Sequence, residues 1–306
     1  MSLVRSTAIQ LSRLPVDPRN WRPNILLFAG DVERRPDLVQ FGAWLVQDRG
    51  ILTVAKLVSG EIEDLAKARL TETVELAEEL ERLGVVGFPE VDIVAGFEEG
   101  VVSVAQSNGI AGIESNMVMF GWSEKPERRE TVLRVIERLA HLGKSAVIGK
   151  ISPPQWNWGR GQIHVWWGGL EQNGDLLLLL AHLLAQNPRW RESEIVINSI
   201  ATNEMTQQHS RRLLEQLTSE ARIEAVSNVI LKPEGVSVRE IIRERSENAD
   251  VVLLGLRSNR PGEERDYARR MTAMVEGLPT VLFVRNAGMF RGQLLGNNRE
   301  QRQSAP

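Results

Sequence analysis

The chain has 306 residues, 42% of them apolar and 25% charged, which is material for about two domains with ordinary cores. Its formal net charge is −3 with no concentrated run of Lys or Arg, which argues against a nucleic-acid partner. No cysteine is present, so disulfides, thiolate metal sites and cysteine nucleophiles are excluded, and a reducing compartment suits the composition.

Met1 to Arg19 is a lead-in with no apolar stretch ahead of a small-residue cleavage site, so no signal peptide is expected. Asn24–Gly30 reads as a buried strand and Arg35–Gln47 as a helix presenting Leu38, Phe41 and Leu45. Ile51–Val58 is the next strand. The long helix Glu61–Leu83 carries Ile62, Leu65, Ala66, Val74, Ala77 and Leu80 on one side. Val91–Ala95 reads as a short strand, Glu98–Ser107 as a helix, Asn116–Gly121 as a strand, Glu127–Leu142 as a helix and Ser145–Lys150 as a strand. This alternation argues for a parallel sheet flanked by helices over residues 20–150.

Residues 151–161 hold two prolines, two tryptophans and two glycines and read as a linker. The alternation then resumes over 162–285. Strands are expected at Gln162–Trp167, Glu194–Ala201, Asp250–Leu256 and Thr280–Arg285, with an extended segment at Ile223–Leu231. Helices are expected at Leu176–Ala185, Glu204–Leu217, Ser237–Arg245 and Glu263–Glu276. The run Leu176–Leu184 is far shorter than the roughly 20 apolar residues that span a bilayer, so the chain is expected to be soluble. Residues 286–306 form a polar tail expected to fray. The two α/β stretches echo one another. MVMFGW (Met117–Trp122) and VVLLGL (Val251–Leu256) are each followed by a proline, a helix and a glycine, and 22 residues separate Gly121 from Gly143 and Gly255 from Gly277. A duplicated α/β unit is the simplest reading.

Ligands of parallel α/β sheets collect at the carboxyl ends of the strands. No G-x-G-x-x-G follows any strand here and no G-x-x-x-x-G-K-[ST] occurs, so a nucleotide site has architecture but no residues behind it. Asp31 stands where a base or ribose contact would be, but a helix-start or turn aspartate is the favoured reading. His141, His164, His182 and His209 fall in no metal-binding spacing and read as structural. No G-x-S-x-G elbow exists, and the carboxylates lie on helical faces among basic residues. No catalytic residue, cofactor site or metal site is assigned, and the chain is not expected to be an enzyme.

Two features exceed a plain core. Trp156, Trp158, Trp166 and Trp167 fall within twelve residues, and Trp is a frequent interface anchor, although Trp166 and Trp167 could equally sit on the two faces of a covered strand. The helix opening with Leu176, Leu177, Leu178 and Leu180 has no polar stripe over its first turn, so something beyond its own sheet should cover it. Trp166, Trp167 and these four leucines are therefore the candidate interface.

The segments NWRPNILLFAG (Asn20–Gly30), RRPDLVQFGAWL, SNGIAGIESNMVMFGW, QIHVWWGGLEQNGDLLLLLAHLLAQNPRWR (Gln162–Arg191), ADVVLLGLRSNRPGE and LPTVLFVRN occur in order from about Asn20 to Arg285. In them the chain resembles the C-terminal cytosolic domain of prokaryotic cation-chloride cotransporters, within the amino acid-polyamine-organocation permease superfamily. The resemblance implies two tandem Rossmann-like, universal-stress-protein-like α/β subdomains and a homodimer. It also implies a non-catalytic regulatory role beneath the membrane transport domain of the same protein, on the cytoplasmic face of the plasma membrane. Family ion-binding residues lie in the membrane part, so none carries over, and a chain without that part would be a piece of the whole transporter. Long regulatory insertions of eukaryotic relatives have no counterpart in these short connections. The alternative is a stand-alone tandem universal-stress-protein-like nucleotide binder.

Overall fold

The computed structural model describes residues 21–47, 49–110, 113–152, 160–168 and 173–288. The lead-in at 1–19, most of the expected linker with Trp156 and Trp158, and the tail beyond 288 lie outside the described residues. The architecture is mixed α/β, strands alternating with helices in the Rossmann manner. By internal contacts the chain divides into two compact units. One comprises Met1–Gln155 with Ser258–Ala273, the other Trp156–Arg257 with Met274–Pro306.

The first unit contains β1 (Ile25–Phe28), α1 (Pro36–Val46), β2 (Leu52–Ser59), α2 (Ile62–Arg82), β3 (Phe88–Val94) and α3 (Phe97–Ser107). A two-stranded antiparallel hairpin follows, β4 (Gly109–Ile110) with β5 (Ile113–Glu114). Then come β6 (Met117–Gly121), α4 (Pro126–His141) and β7 (Ser145–Lys150). Its five long strands are all parallel, in the order β3-β2-β1-β6-β7. Buried on both faces, β1 and β6 are uniformly apolar through Ile25–Phe28 and Met117–Phe120, and the Phe28 and Phe120 rings stack at 5.7 Å. Pro36 and Pro126 open α1 and α4, where the missing N–H removes no helical bond.

Two asparagines lock the strand beginnings of this unit. Asn24 N donates to Asn116 Oδ1 at 3.0 Å, Ile51 N to Asn24 Oδ1 at 3.1 Å, and Asn116 Nδ2 to Arg22 O at 2.8 Å. Each bond satisfies a backbone group that the sheet leaves open.

The second unit contains β8 (Gln162–Trp166), α5 (Gly174–Gln186), β9 (Glu194–Ala201), α6 (Glu204–Ala221), β10 (Val226–Leu231), α7 (Val238–Ser246), β11 (Val251–Gly255) and β12 (Thr280–Arg285). Its strands are again all parallel, in the order β10-β9-β8-β11-β12. Numbered within each unit, both orders read 3-2-1-4-5. The segment between β11 and β12 carries α8 (Glu264–Val275), of which residues through Ala273 pack with the first unit. There the Glu137 carboxylate accepts from Ser258 Oγ at 2.8 Å and Asn259 N at 3.1 Å, and Arg265 approaches Glu130 at 3.4 Å.

Each sheet order ends on a strand with an unpaired row of backbone groups, an open template for another chain. On β3, Arg69 Nε of α2 donates to Val91 O at 2.6 Å; on β10, Gln207 Nε2 of α6 donates to Val229 O at 2.8 Å. Pro89 within β3 removes a further donor from that edge. Strand β3 begins at Phe88, three residues before the expected Val91, because a proline is tolerated on such an edge.

Helix α7 opens with a reciprocal cap. Glu240 N donates to Ser237 Oγ at 3.2 Å, and Ser237 N donates to Glu240 Oε2 at 2.8 Å. Ser237→Ala is expected to lower the thermal midpoint by a few degrees, because one end-turn N–H loses its acceptor. A calorimetric scan of the variant checks this.

Candidate functional site

In a 3-2-1-4-5 parallel sheet the chain reverses direction between its first and fourth strands, and the crevice outside their carboxyl ends is the usual place for a ligand. In the second unit that crevice lies by β8 and β11. Its occupant is Asn173, directly before α5 and buried. Asn173 Nδ2 donates to Leu256 O at 2.7 Å, and Asn286 N donates to Asn173 Oδ1 at 2.8 Å. One side chain thus joins the ends of β11 and β12 to the start of α5. Gly255 makes room for it, since a Cβ there would lie 3.0 Å from Asn173 Nδ2.

In the first unit the crevice lies by β1 and β6, and its occupant is Arg35, directly before α1. Its guanidinium lies over Gly121, occupying the space a Cβ would need. Burial lowers the Arg35 pKa, and the nearby Arg128 lowers it further, while Asp31 and Glu124 pull it back up. Asp31 itself is committed to its own turn. It accepts Arg34 N at 3.2 Å and pairs with Arg34 Nε at 3.0 Å, which is the turn-aspartate role and not a base contact. Behind Gly121, Arg129 stacks 5.0 Å over Trp122 and donates to Ser123 O at 2.6 Å. A cavity of about 10 Å³ bounded by Trp122, Arg129, Leu133, Ile148 and Met271 is too small for any organic ligand.

The candidate interface residues are in the interior. Leu176, Leu177, Leu178 and Leu180 are 0–1% exposed, and α5 packs on β8, β9 and β11. Trp166 is buried as well. Trp167 is half-buried; its ring lies against Gly174, where a Cβ would sit 2.7 Å from it. What α5 leaves partly open is the stripe Leu179, His182 and Gln186.

A polar chain runs along β8 from Ser246 of α7, buried as far as His164 and reaching solvent at Glu194. The Trp166 indole Nε1–H donates to Ser246 Oγ at 3.0 Å, which leaves the Ser246 hydroxyl to donate to His164 Nδ1 at 2.9 Å. His164 Nε2–H donates to Gln162 Oε1 at 2.9 Å, and the Gln162 amide donates to Glu194 Oε2 at 2.9 Å. A donor-only indole at one end and an acceptor-only carboxylate at the other fix every proton between them. Burial pushes His164 down to about 4, so the ring is neutral, as this chain requires. The structural role expected of His164 holds. His141 Nδ1 lies 2.8 Å from Glu137 O in the last turn of α4, His182 is half-buried on α5, and His209 is exposed on α6.

Asn173, Arg35 and Ser246 escaped sequence reasoning because single polar residues at helix ends look like caps. The signal for the first two was present. Aligning the halves on Gly121 and Gly255 makes the residue above each glycine the one to ask about.

Among the described residues no group of three or more His, Cys, Asp or Glu side chains is placed to hold a metal, and no helix is long and apolar enough to cross a membrane. Residues 125–234, less than half of the chain, match the model of solute carrier family 12. Over 90% of this chain and 100% of the other, the structure matches the cytoplasmic domain of a prokaryotic cation chloride cotransporter, with a TM-score of 0.63 and 17% identity. The chain has the fold of that cytoplasmic domain. The same fold extends to a universal stress protein from Archaeoglobus fulgidus, at TM-score 0.56 and 13% identity over 87% of this chain and 97% of the other. It extends also to a functionally unknown protein from Pseudomonas aeruginosa, at TM-score 0.55 and 13% identity over 91% and 98%.

Proposed function

We propose that this chain is the cytoplasmic regulatory and dimerisation domain of an electroneutral cation-chloride cotransporter, built of two tandem stress-protein-like subdomains. The observation that carries the reading is agreement between two independent comparisons. A solute carrier family 12 model matches residues 125–234, and one structural match over 90% of the chain is to a cotransporter's cytoplasmic domain. The subdomains run over about residues 20–150 and 162–285, with 258–273 of the second grouped with the first unit; they are joined through 151–161, and two copies associate beneath the membrane part of the same protein. Regulation then follows from linkage: association biases the conformations of the two transport units. With the α5 leucines and Trp166 already buried in one copy, the dimer contact near α5 falls to Trp167 and the Leu179–His182 stripe.

The stand-alone nucleotide binder draws support from the likeness to universal stress proteins. The absent glycine loop and the Arg35 side chain over Gly121 weigh against it.

Transport by the complete protein tests the proposal. Cells producing it are expected to take up labelled rubidium in a chloride-dependent manner insensitive to membrane potential. Deleting the segment that encodes this chain is expected to reduce that uptake severalfold at equal membrane abundance. Unchanged uptake per transporter would rule out the regulatory role.

A further inference from the structure

Helix α2 carries apolar side chains on two sides. Leu76 and Leu80 are buried on the side that packs against β3. About a quarter of the way round, Ile62, Ala66, Leu70 and Val74 follow one another at intervals of four, with Ala77 beside them. All five are exposed, and the three large side chains are 65%, 64% and 58% accessible. Residues four apart stand one above another on a helix, so this is a continuous apolar row and not scattered exposure. The fold does not demand it. Helix α6 packs on β10 as α2 packs on β3. At the same angle from its buried Leu214 and Leu217, α6 carries Glu204, Gln208, Arg211 and Glu215, all exposed.

The charges beside the row select what covers it. Lys67 and Glu78 stand three turns apart along one flank, both exposed. Among the described residues the ion pairs of α2 use Glu72 and Arg82 and leave Lys67 and Glu78 out. Two copies of α2 laid antiparallel, centred midway between Leu70 and Val74, set each Leu70 on Val74 of the other copy. Ala66 then meets Ala77, where small side chains let the backbones approach. The same register brings Lys67 of each copy to Glu78 of the other, so the pair forms twice. Glu63 falls opposite Glu81 at each end, where water reaches both. A parallel pairing would instead oppose Lys67 to Lys67 and Glu78 to Glu78. A helix of 21 residues is about 30 Å long. Its row covers less than the roughly 800 Å² per partner of a stable interface, so the association is weak and reversible.

We propose that α2 is a self-association surface, through which two copies of this chain pair antiparallel along the Ile62, Ala66, Leu70 and Val74 row, with Lys67 and Glu78 joined across it. The surface belongs to the first unit, whereas Trp167 and the Leu179–His182 stripe belong to the second. It shares with the functional reading only the meeting of two copies. The readout below is association of the chain alone, so a failure of the transport reading leaves it standing, and the reverse.

Sedimentation equilibrium of the purified 306-residue chain tests this. A reversible monomer–dimer equilibrium is expected, and Leu70→Glu should weaken it about tenfold or more, since it places a charge in the centre of the apolar contact twice. Lys67→Glu and Glu78→Lys should each weaken association, and the two together should restore most of it, because the pair is then re-formed with its signs exchanged. All of these positions are exposed, and thermal melts establish that each variant is folded. Direction is read by cross-linking. The chain holds no cysteine, so introduced thiols report alone. Under mild oxidation a mixture of Leu70→Cys and Val74→Cys chains should form a covalent dimer faster than either variant by itself. Faster cross-linking of each variant alone would mean a parallel contact and overturn the register. A chain that stays monomeric at every concentration would overturn the surface. So would a dimer that Leu70→Glu leaves unchanged and Leu179→Glu abolishes, since its contact is then on α5.

Discussion

Asn173→Ala is expected to destabilise the chain by about 3 kcal/mol, because it strands two buried backbone groups with one change. The amide spans Leu256 O and Asn286 N at 2.7 and 2.8 Å, and both of those residues are 1% exposed, so solvent cannot replace either bond. Asn173→Asp keeps the acceptor facing Asn286 N and removes the donor facing Leu256 O, adding a buried charge in exchange. It should also fail to restore stability. In urea titrations the midpoint should fall for both variants with an unchanged slope, since the surface exposed on unfolding is the same. A loss under about 1 kcal/mol for the alanine variant would mean that the ends of β11 and β12 do not depend on this amide.

The second large effect is on pH dependence. His164 takes its proton at 6.5 when unexposed to the fold and at about 4 within it, chiefly through burial, with the Glu194 charge opposing the shift. Between those two values the unfolded chain binds more protons than the folded one, so stability rises with pH across that window. The contribution is complete above pH 6.5 and is lost as pH falls toward 4, amounting to about 3 kcal/mol. Protonation also breaks the buried chain, because Nδ1 can no longer accept from Ser246. Burial raises Glu90 and Asp92, so their contributions run the opposite way in acid. Comparing the pH–stability profile with that of His164→Asn cancels those carboxylates. The wild-type curve should steepen between pH 6.5 and 4 relative to the variant, and parallel curves would remove His164 from the account.

Most of the fold was legible because strand and helix periods differ so plainly. Uniform apolar runs such as Ile25–Phe28 and Val251–Leu254 can only be doubly covered strands, and the structure places them at the centre of parallel sheets. The hairpin at β4 and β5 escaped because two-residue strands carry no period. Helix α2 shows where periodicity overreaches. Ile62 and Val74 were expected on the covered face with Leu80, yet they are 65% and 58% exposed, and only Leu76 and Leu80 are buried. A helix of 21 residues over a strand of 7 has more length than β3 can cover, which leaves Ile62 in solvent, while Val74, farther along, lies outside the narrow buried face of Leu76 and Leu80. For the leucine helix α5 the expectation that it must be covered all round was sound, and the chain itself provides the cover. The crevice residues were the least legible part. Nothing in the local sequence distinguishes Asn173 from an ordinary cap; its role comes from Leu256 and Asn286, far along the chain.

The relation between the two crevices bears on function as well as fold. A sheet of this order offers a ligand position in each unit, and one of the two is closed by Asn173. That leaves little room for a tandem nucleotide binder and favours a domain whose work is done by its surfaces.

Immunoblotting of fractionated source cells with an antibody to this chain tests that account most directly. The cotransporter reading expects a band well above 34.3 kDa in the membrane fraction. A band at 34.3 kDa confined to the water-soluble fraction would contradict it and leave the stand-alone binder in its place.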